Sequence, residues 1–144
     1  RGPVDVAVAY SRTDAVGDGA FTVRTVGGTY DFKRVKLTVV HIQNAWAPKK
    51  ERIWLLGASV PVGTHGTLRA SYVPKDASGA GTDGNDARQF ALGYLHRLSK
   101  RTMLYGTYSQ IHNKGASNAT VGSTLPGVAG QDSRGLELGL VHAF

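Results

Sequence analysis

Residues 136–144 read LELGLVHAF, and the rest of the chain is best understood outward from them. Leu136, Leu138, Leu140, His142 and Phe144 share one face at a spacing of two, and Glu137, Gly139, Val141 and Ala143 share the other. A period of two is that of a β-strand, whose successive side chains point to opposite sides of the pleat. The stretch stops on an aromatic residue beside a carboxylate, with no polar tail. Water frays such a terminus. A membrane interface suits it, with the ring among headgroups and the carboxylate in water. The expected element is a strand of a transmembrane β-sheet.

The same alternation recurs upstream. Val4, Val6, Val8 and Tyr10 alternate with Asp5, Ala7, Ala9 and Ser11, which reads as a first strand. Further strands are expected at 21–32, 35–43, 52–60, 67–73, 88–98, 102–111 and 134–144. The connections 13–19, 44–50, 74–87 and 112–133 are rich in Gly, Asp, Asn and Lys, whereas 33–34, 61–66 and 99–101 are short. Eight strands and no helix are expected, with short turns gathered at one end and longer loops at the other. Outer-membrane barrels have that arrangement.

Length and composition agree with this reading. At 144 residues the chain is expected to be one domain, 1–144. Seventeen basic against ten acidic residues give +7, but the basic residues are scattered and no RNA-binding signature accompanies them. No nucleic-acid partner is expected. Cysteine is absent, so no disulfide framework is implied. No apolar run reaches the ~18–20 residues of a membrane helix. The most apolar window, IWLLGASVPV at 53–62, is interrupted by Gly57, Ser59 and Pro61. Arg1-Gly2-Pro3 leads directly into the first strand, so the chain is expected to be mature, truncated or both.

One face of the strands carries Val, Leu, Tyr and Phe; the other is mostly Ala, Gly, Ser and Thr with sparse charge. A soluble barrel alternates in the same way with its apolar face inward. Its exterior, however, would be rich in Lys, Glu and Thr rather than Gly and Ala. The apolar face is therefore expected to meet lipid, where a mid-bilayer charge costs about 2–4 kcal/mol. Arg24 and Arg52 share that face near the loop ends of their strands, where long side chains snorkel to water. Tyr10, Tyr30, Phe32, Tyr72, Tyr94, Tyr108 and Phe144 lie near strand ends, as an aromatic girdle requires. His41, His96 and His142 fit interfacial positions too.

On the opposite face Lys36, Arg69 and Arg97 are candidate basic pore-lining residues, with Asp5 and Glu137 as acidic ones. Such a wall concentrates anions. The competing reading pairs these cations with Asp5, Asp31 or Glu137 as plugs of a narrow interior. Gly79 to Gly84 matches G-x-G-x-x-G, but it follows no strand of a βαβ unit and opens no helix. Asp83, Asn85 and Asp86 lack EF-hand spacing and read as a hydrated loop. The five histidines show no metal spacing, and no serine–histidine–acid set can be singled out. No enzyme activity, metal or cofactor is expected.

Together the segments resemble the C-terminal half of general bacterial porins, the trimeric sixteen-stranded kind of Gram-negative outer membranes, particularly the proteobacterial branch with basic pores. The resemblance is carried by TVGGTYDF (25–32), LLGASVPVG (55–63), FALGYLHRLSKRTMLYGTYS (90–109) and SRGLELGLVHAF (133–144). It implies an outer-membrane location and passive, weakly anion-preferring diffusion of ions and small hydrophilic solutes. It also implies a homotrimer if full length, and a terminal signal read by the barrel-assembly machinery. Glu137, Gly139, His142 and Phe144 match that signal, with His142 where Tyr or Phe is commoner. Porins of this kind have about twice as many strands as are found here. Two barrel forms are consistent with the count: the C-terminal half of a sixteen-stranded porin, or a small closed barrel. An alternative function is a non-conducting eight-stranded barrel with a structural or adhesive role, using the loops 74–87 and 112–133. A third is a soluble ligand-binding barrel.

Overall fold

Eight antiparallel strands pair in simple sequence order in the computed structural model, which describes residues 2–15, 19–122 and 127–144. They are β1 (Val4–Ala15), β2 (Gly19–Asp31), β3 (Lys36–Trp46), β4 (Lys49–Val62), β5 (Gly66–Ser78), β6 (Ala87–Arg97), β7 (Thr102–Asn113) and β8 (Ser133–His142). Their 10–14 residues meet or exceed the ~9–11 that a tilted strand needs to cross a bilayer. Every neighbouring pair is joined by an antiparallel ladder, but among the described residues β1 and β8 do not pair. The sheet is thus an open wall, and the small closed barrel is ruled out as its form. A closed eight-stranded interior must be filled by side chains. Gly27, Gly57, Gly93 and Gly139 on the small-residue face leave it too little volume for that.

The strands run further than hydropathy indicates. The expected loop 44–50 shrinks to Ala47-Pro48, joined by a cis peptide bond, because Trp46 pairs with Lys49 and Ala45 with Lys50. The expected loop 74–87 begins only after Ser78. Pro74 stays inside β5 at the cost of a gap in the ladder, which jumps from Ile53↔Lys75 to Leu56↔Tyr72 because proline has no N–H to donate. The loop expected at 13–19 is reduced as well, since β1 reaches Ala15 and β2 starts at Gly19; residues 16–18 lie outside the described residues, as do 123–126 of the loop 112–133. The contrast between long and short connections therefore holds for β5–β6 and β7–β8 but not for β3–β4. Polar residues keep pairing above the apolar zone because a hairpin satisfies its own backbone groups in water as well as in lipid.

The wall has no core of its own. Among the described residues the buried apolar side chains are Ala77 and Ile111 alone. Val8 is 78% exposed, Leu138 74% and Leu140 59%, and Leu92 and Tyr94 are exposed too. A soluble monomer rarely shows so large a continuous apolar surface. Hydrocarbon has to supply the missing half of the packing. The soluble-barrel reading fails at this point.

Two loops brace the far end of the sheet. Asn85 Oδ1 accepts the Ala116 N–H at 2.7 Å, and the Lys114 N–H donates to the Asp86 carbonyl at 2.9 Å. Asp86 Oδ1 accepts the Ala77 N–H at 3.1 Å. Gly79 to Gly84 forms a tight turn, with the Thr82 N–H on the Gly79 carbonyl at 3.0 Å. Asn85 and Asp86 thus hold backbone.

Candidate functional site

The candidate site is the small-residue face of this wall. Its organising row is a continuous set of cross-strand partners: Lys36 with Ser59, Ser59 with Arg69, Arg69 with Gly93, Gly93 with Thr107, and Thr107 with Glu137. Because the side-chain period is two, one register places all of these on the same face. Lys36 and Arg69 stand two strands apart, so their backbones are separated by about 10 Å. Between and beside them are Gly57, Ser71 and Gly93, which are too small to cover the charges. A hollow of about 530 Å³ opens there, lined by Lys36, Thr38, Ser59, Arg69, Ser71 and Thr107 among others. Two cations and four hydroxyls facing one open hollow form an anion-attracting surface.

Arg97 shares the face but not the hollow. It sits opposite Met103 at the turn end of β6, and its N–H donates to the His65 carbonyl at 2.9 Å. Among the described residues the acidic candidates form no ion pair with the cations. Asp5 lies opposite Thr29 on β1. Asp31 is in register with Lys36, but its Oδ1 accepts the Lys33 N–H at 2.7 Å and caps the β2–β3 turn. Glu137 accepts the Tyr105 hydroxyl at 2.8 Å. Among the described residues, no ion pair involves Lys36, Arg69, Arg97, Asp5, Asp31 or Glu137. The plug reading therefore has no contact behind it.

Tyr105 is a site residue that hydropathy reading passes over. It pairs with Gly139 across β7–β8, and its ring lies where any β-carbon at 139 would have to go. Gly139 thus lets the ring lie flat across β8 and reach Glu137. The parity of Tyr105 with Thr107 and Ser109 was the available signal, together with a glycine on the neighbouring strand. Trp46, inside an expected loop, is a second such residue: it meets Phe21 at 5.8 Å near the loop end of the same face. Beside that end Lys75 pairs with Glu51 at 3.6 Å.

On the other face the aromatic residues fall at two levels. Toward the short turns, Tyr30 packs on Phe32 at 4.3 Å, Tyr94 on His96 at 6.0 Å, and His142 edge-on to Phe144 at 5.0 Å. Toward the loops, His41 lies on Trp54 at 4.2 Å, with Tyr10, Tyr72 and Tyr108 on neighbouring strands. The His142 Nδ1 is 2.8 Å from the Thr102 hydroxyl, which ties the end of β8 to β7. Phe144 itself is fully exposed beyond the last paired residue.

Comparison with known proteins agrees with this geometry. A Gram-negative porin family model matches residues 1–116. Outer membrane porin protein 32 of Delftia acidovorans is 33% identical over 158 aligned positions, covering 100% of this chain and 44% of the relative. An outer membrane porin protein of Bordetella pertussis is 29% identical over 76% of this chain and 38% of its own length. The solved anion-selective porin from Comamonas acidovorans superposes with a TM-score of 0.82 at 31% identity, over 100% of this chain and 46% of that one. The chain spans about half the length of the relatives it matches. With eight strands in porin order, a lipid-compatible face and a polar face behind it, this chain belongs to the Gram-negative porin family and to the bacterial outer membrane.

Proposed function

We propose that this chain forms one continuous wall, residues 1–144, of a diffusion pore that passes small hydrophilic solutes with a preference for anions. The observation that carries the preference is the placement of Lys36 and Arg69 on one hollow with, among the described residues, no ion pair to either. An unpaired cation beside water raises local anion concentration, whereas a paired one is neutralised at short range. Arg97 extends the positive surface toward the short turns, and Asp5 and Glu137 stand at the flanks. The named selectivity of the Comamonas porin supports the same direction.

Tyr10, Tyr30, Phe32, Tyr72, Tyr94, Tyr108 and Phe144 serve as the interfacial girdle, supported by their exposure on the apolar face. Tyr30, Phe32, Tyr94 and Phe144 lie toward the short turns, and Tyr10, Tyr72 and Tyr108 near the middles of strands that run on past the apolar zone. Outer-membrane lipid is accordingly a partner. Glu137, Gly139, His142 and Phe144 serve as the signal for the barrel-assembly machinery, consistent with the unpaired edge of β8 and the free ring of Phe144. The complete protein is a homotrimer in this reading, and the chain has no catalytic role.

Reversal potentials in planar bilayers under a chloride gradient test the pore. The expected result is anion selectivity that falls roughly severalfold in K36Q/R69Q. Cation selectivity, or an unchanged ratio in the double variant, would contradict it.

A further inference from the structure

On β3 and β4 the small-residue face carries a block of larger apolar side chains. The inward pairs there, from the loop end down, are Trp46↔Lys49, Asn44↔Glu51, Ile42↔Ile53, Val40↔Leu55, Thr38↔Gly57 and Lys36↔Ser59. Ile42, Ile53, Val40 and Leu55 therefore sit side by side, on two successive steps about 7 Å apart. Val73 continues the block on β5, in the gap of the β4–β5 ladder. By contrast, the central inward pairs of β7–β8 are Ser109↔Gly135, Thr107↔Glu137 and Tyr105↔Gly139. The four branched residues are half-buried by their neighbours in the sheet, and nothing described here lies over them.

The block adjoins the cations directly. Leu55 lines the hollow that holds Lys36 and Arg69, and its Cδ2 is 3.6 Å from where a β-carbon at Gly57 would lie. Val40 reaches over Gly27 in the same way, at 3.0 Å. A further hollow of about 340 Å³ opens beside Val40, lined by Ala7, Ala9, Thr25 and Gly27, with Asp5 at its short-turn end. Thr38 borders both hollows. Asp5 disfavours an anionic head on the β1 side, so that head belongs on Lys36 and Arg69, with Leu55 and Val40 loopward of it. On the loop side of the block Glu51 is paired with Lys75 at 3.6 Å and is neutralised at short range. A strongly hydrated ion such as chloride gains only from the two cations. A carboxylate with a hydrocarbon body gains from them and also from removing apolar surface on both partners from water.

We propose that Val40, Ile42, Ile53 and Leu55 form, beside Lys36 and Arg69, a subsite for small monocarboxylates with a compact hydrocarbon body, such as aryl or cycloalkyl carboxylates. The occupant is an anion because the hollow that Leu55 lines holds two cations and, among the described residues lining it, no carboxylate. The inference rests on this face lining the pore, and adds a choice among anions to the preference for them.

Block of the chloride current in planar bilayers holding the full chain reads the subsite. The probes are cyclohexanecarboxylate and glucuronate, two ring monocarboxylates of which only the first has an apolar body. Cyclohexanecarboxylate is expected to half-block at a roughly tenfold lower concentration, the effect of taking about two methylene groups out of water. V40T/L55T should remove most of that difference, and K36Q/R69Q should raise both half-blocking concentrations. Equal concentrations for the two probes in the unaltered chain overturn the proposal, and so does a tenfold difference that survives V40T/L55T. Access is read separately in V40C, whose thiol is the single one because the sequence has no cysteine. It should react with a water-soluble methanethiosulfonate, and cyclohexanecarboxylate should slow that reaction. A thiol that the aqueous reagent never reaches means that protein covers the block, which also defeats the proposal. The chloride reversal potential in the same bilayers reports the anion preference alone. A pore that selects chloride but ignores the hydrocarbon body therefore fails this inference and leaves that reading standing.

Discussion

The two faces of β6 differ more than any two regions of an ordinary domain of this size. On one side Phe90, Leu92 and Tyr94 are exposed and apolar; one residue along, Ala91, Gly93 and Leu95 look onto a hollow that also holds Lys36 and Arg69. A soluble sheet hides its apolar face and wets its polar one. This sheet wets a face of small residues and offers the greasy one to the surroundings, so its stability depends on the solvent each face receives. The membrane is part of the fold.

Changing the polarity of one face at a time tests that difference. The largest effect is expected for L92R or L138R, which place a charge on the lipid-facing surface and should cost about 2–4 kcal/mol in urea unfolding from vesicles. S71R, one residue from the same depth on the other face, should cost far less, within about 0.5 kcal/mol. Equal losses at Leu92 and Ser71 would erase the distinction between the faces. A smaller loss is expected for G139V, where the new side chain collides with the Tyr105 ring and separates it from Glu137. G93A meets the Thr107 hydroxyl at 3.0 Å, with the Gly106 carbonyl and the Thr107 methyl at ordinary contact distance, and should lower the urea midpoint less than G139V. Anion preference should also weaken between 0.1 and 1 M salt, as the screening length shrinks from about 10 to about 3 Å. The smallest change is expected for D132N, which removes the half-exposed pair with His112 (2.7 Å), a contact worth at most about 1 kcal/mol.

The face assignment was legible because lipid enforces it at every second residue. Leu136, Leu138 and Leu140 alternate with Gly135, Glu137 and Gly139 without exception, and a one-residue slip would put Glu137 in hydrocarbon. Strand ends were not legible. Lys49, Lys50 and Glu51 are as polar as any loop, yet they pair with Trp46, Ala45 and Asn44, because above the bilayer a strand is under no hydropathic constraint. Lys36 and Arg69 could be read as inward from parity alone. That they share one hollow while Arg97 stands apart depends on the stagger between strands, which no single strand encodes. Tyr105 and Trp46 were missed for related reasons: the partner that explains each, Gly139 or Phe21, lies far away in sequence and is brought close only by register.

A single-cysteine scan along β6 tests the central claim most directly, and the chain has no native cysteine to interfere. Cysteines placed one at a time at positions 90–95 are labelled in vesicles with a fluorophore, and each is challenged with a lipid-phase and a water-phase quencher. We expect strict alternation, with 90, 92 and 94 quenched from lipid and 91, 93 and 95 from water. The opposite phase, or uniform accessibility along the strand, would contradict the assignment of the two faces.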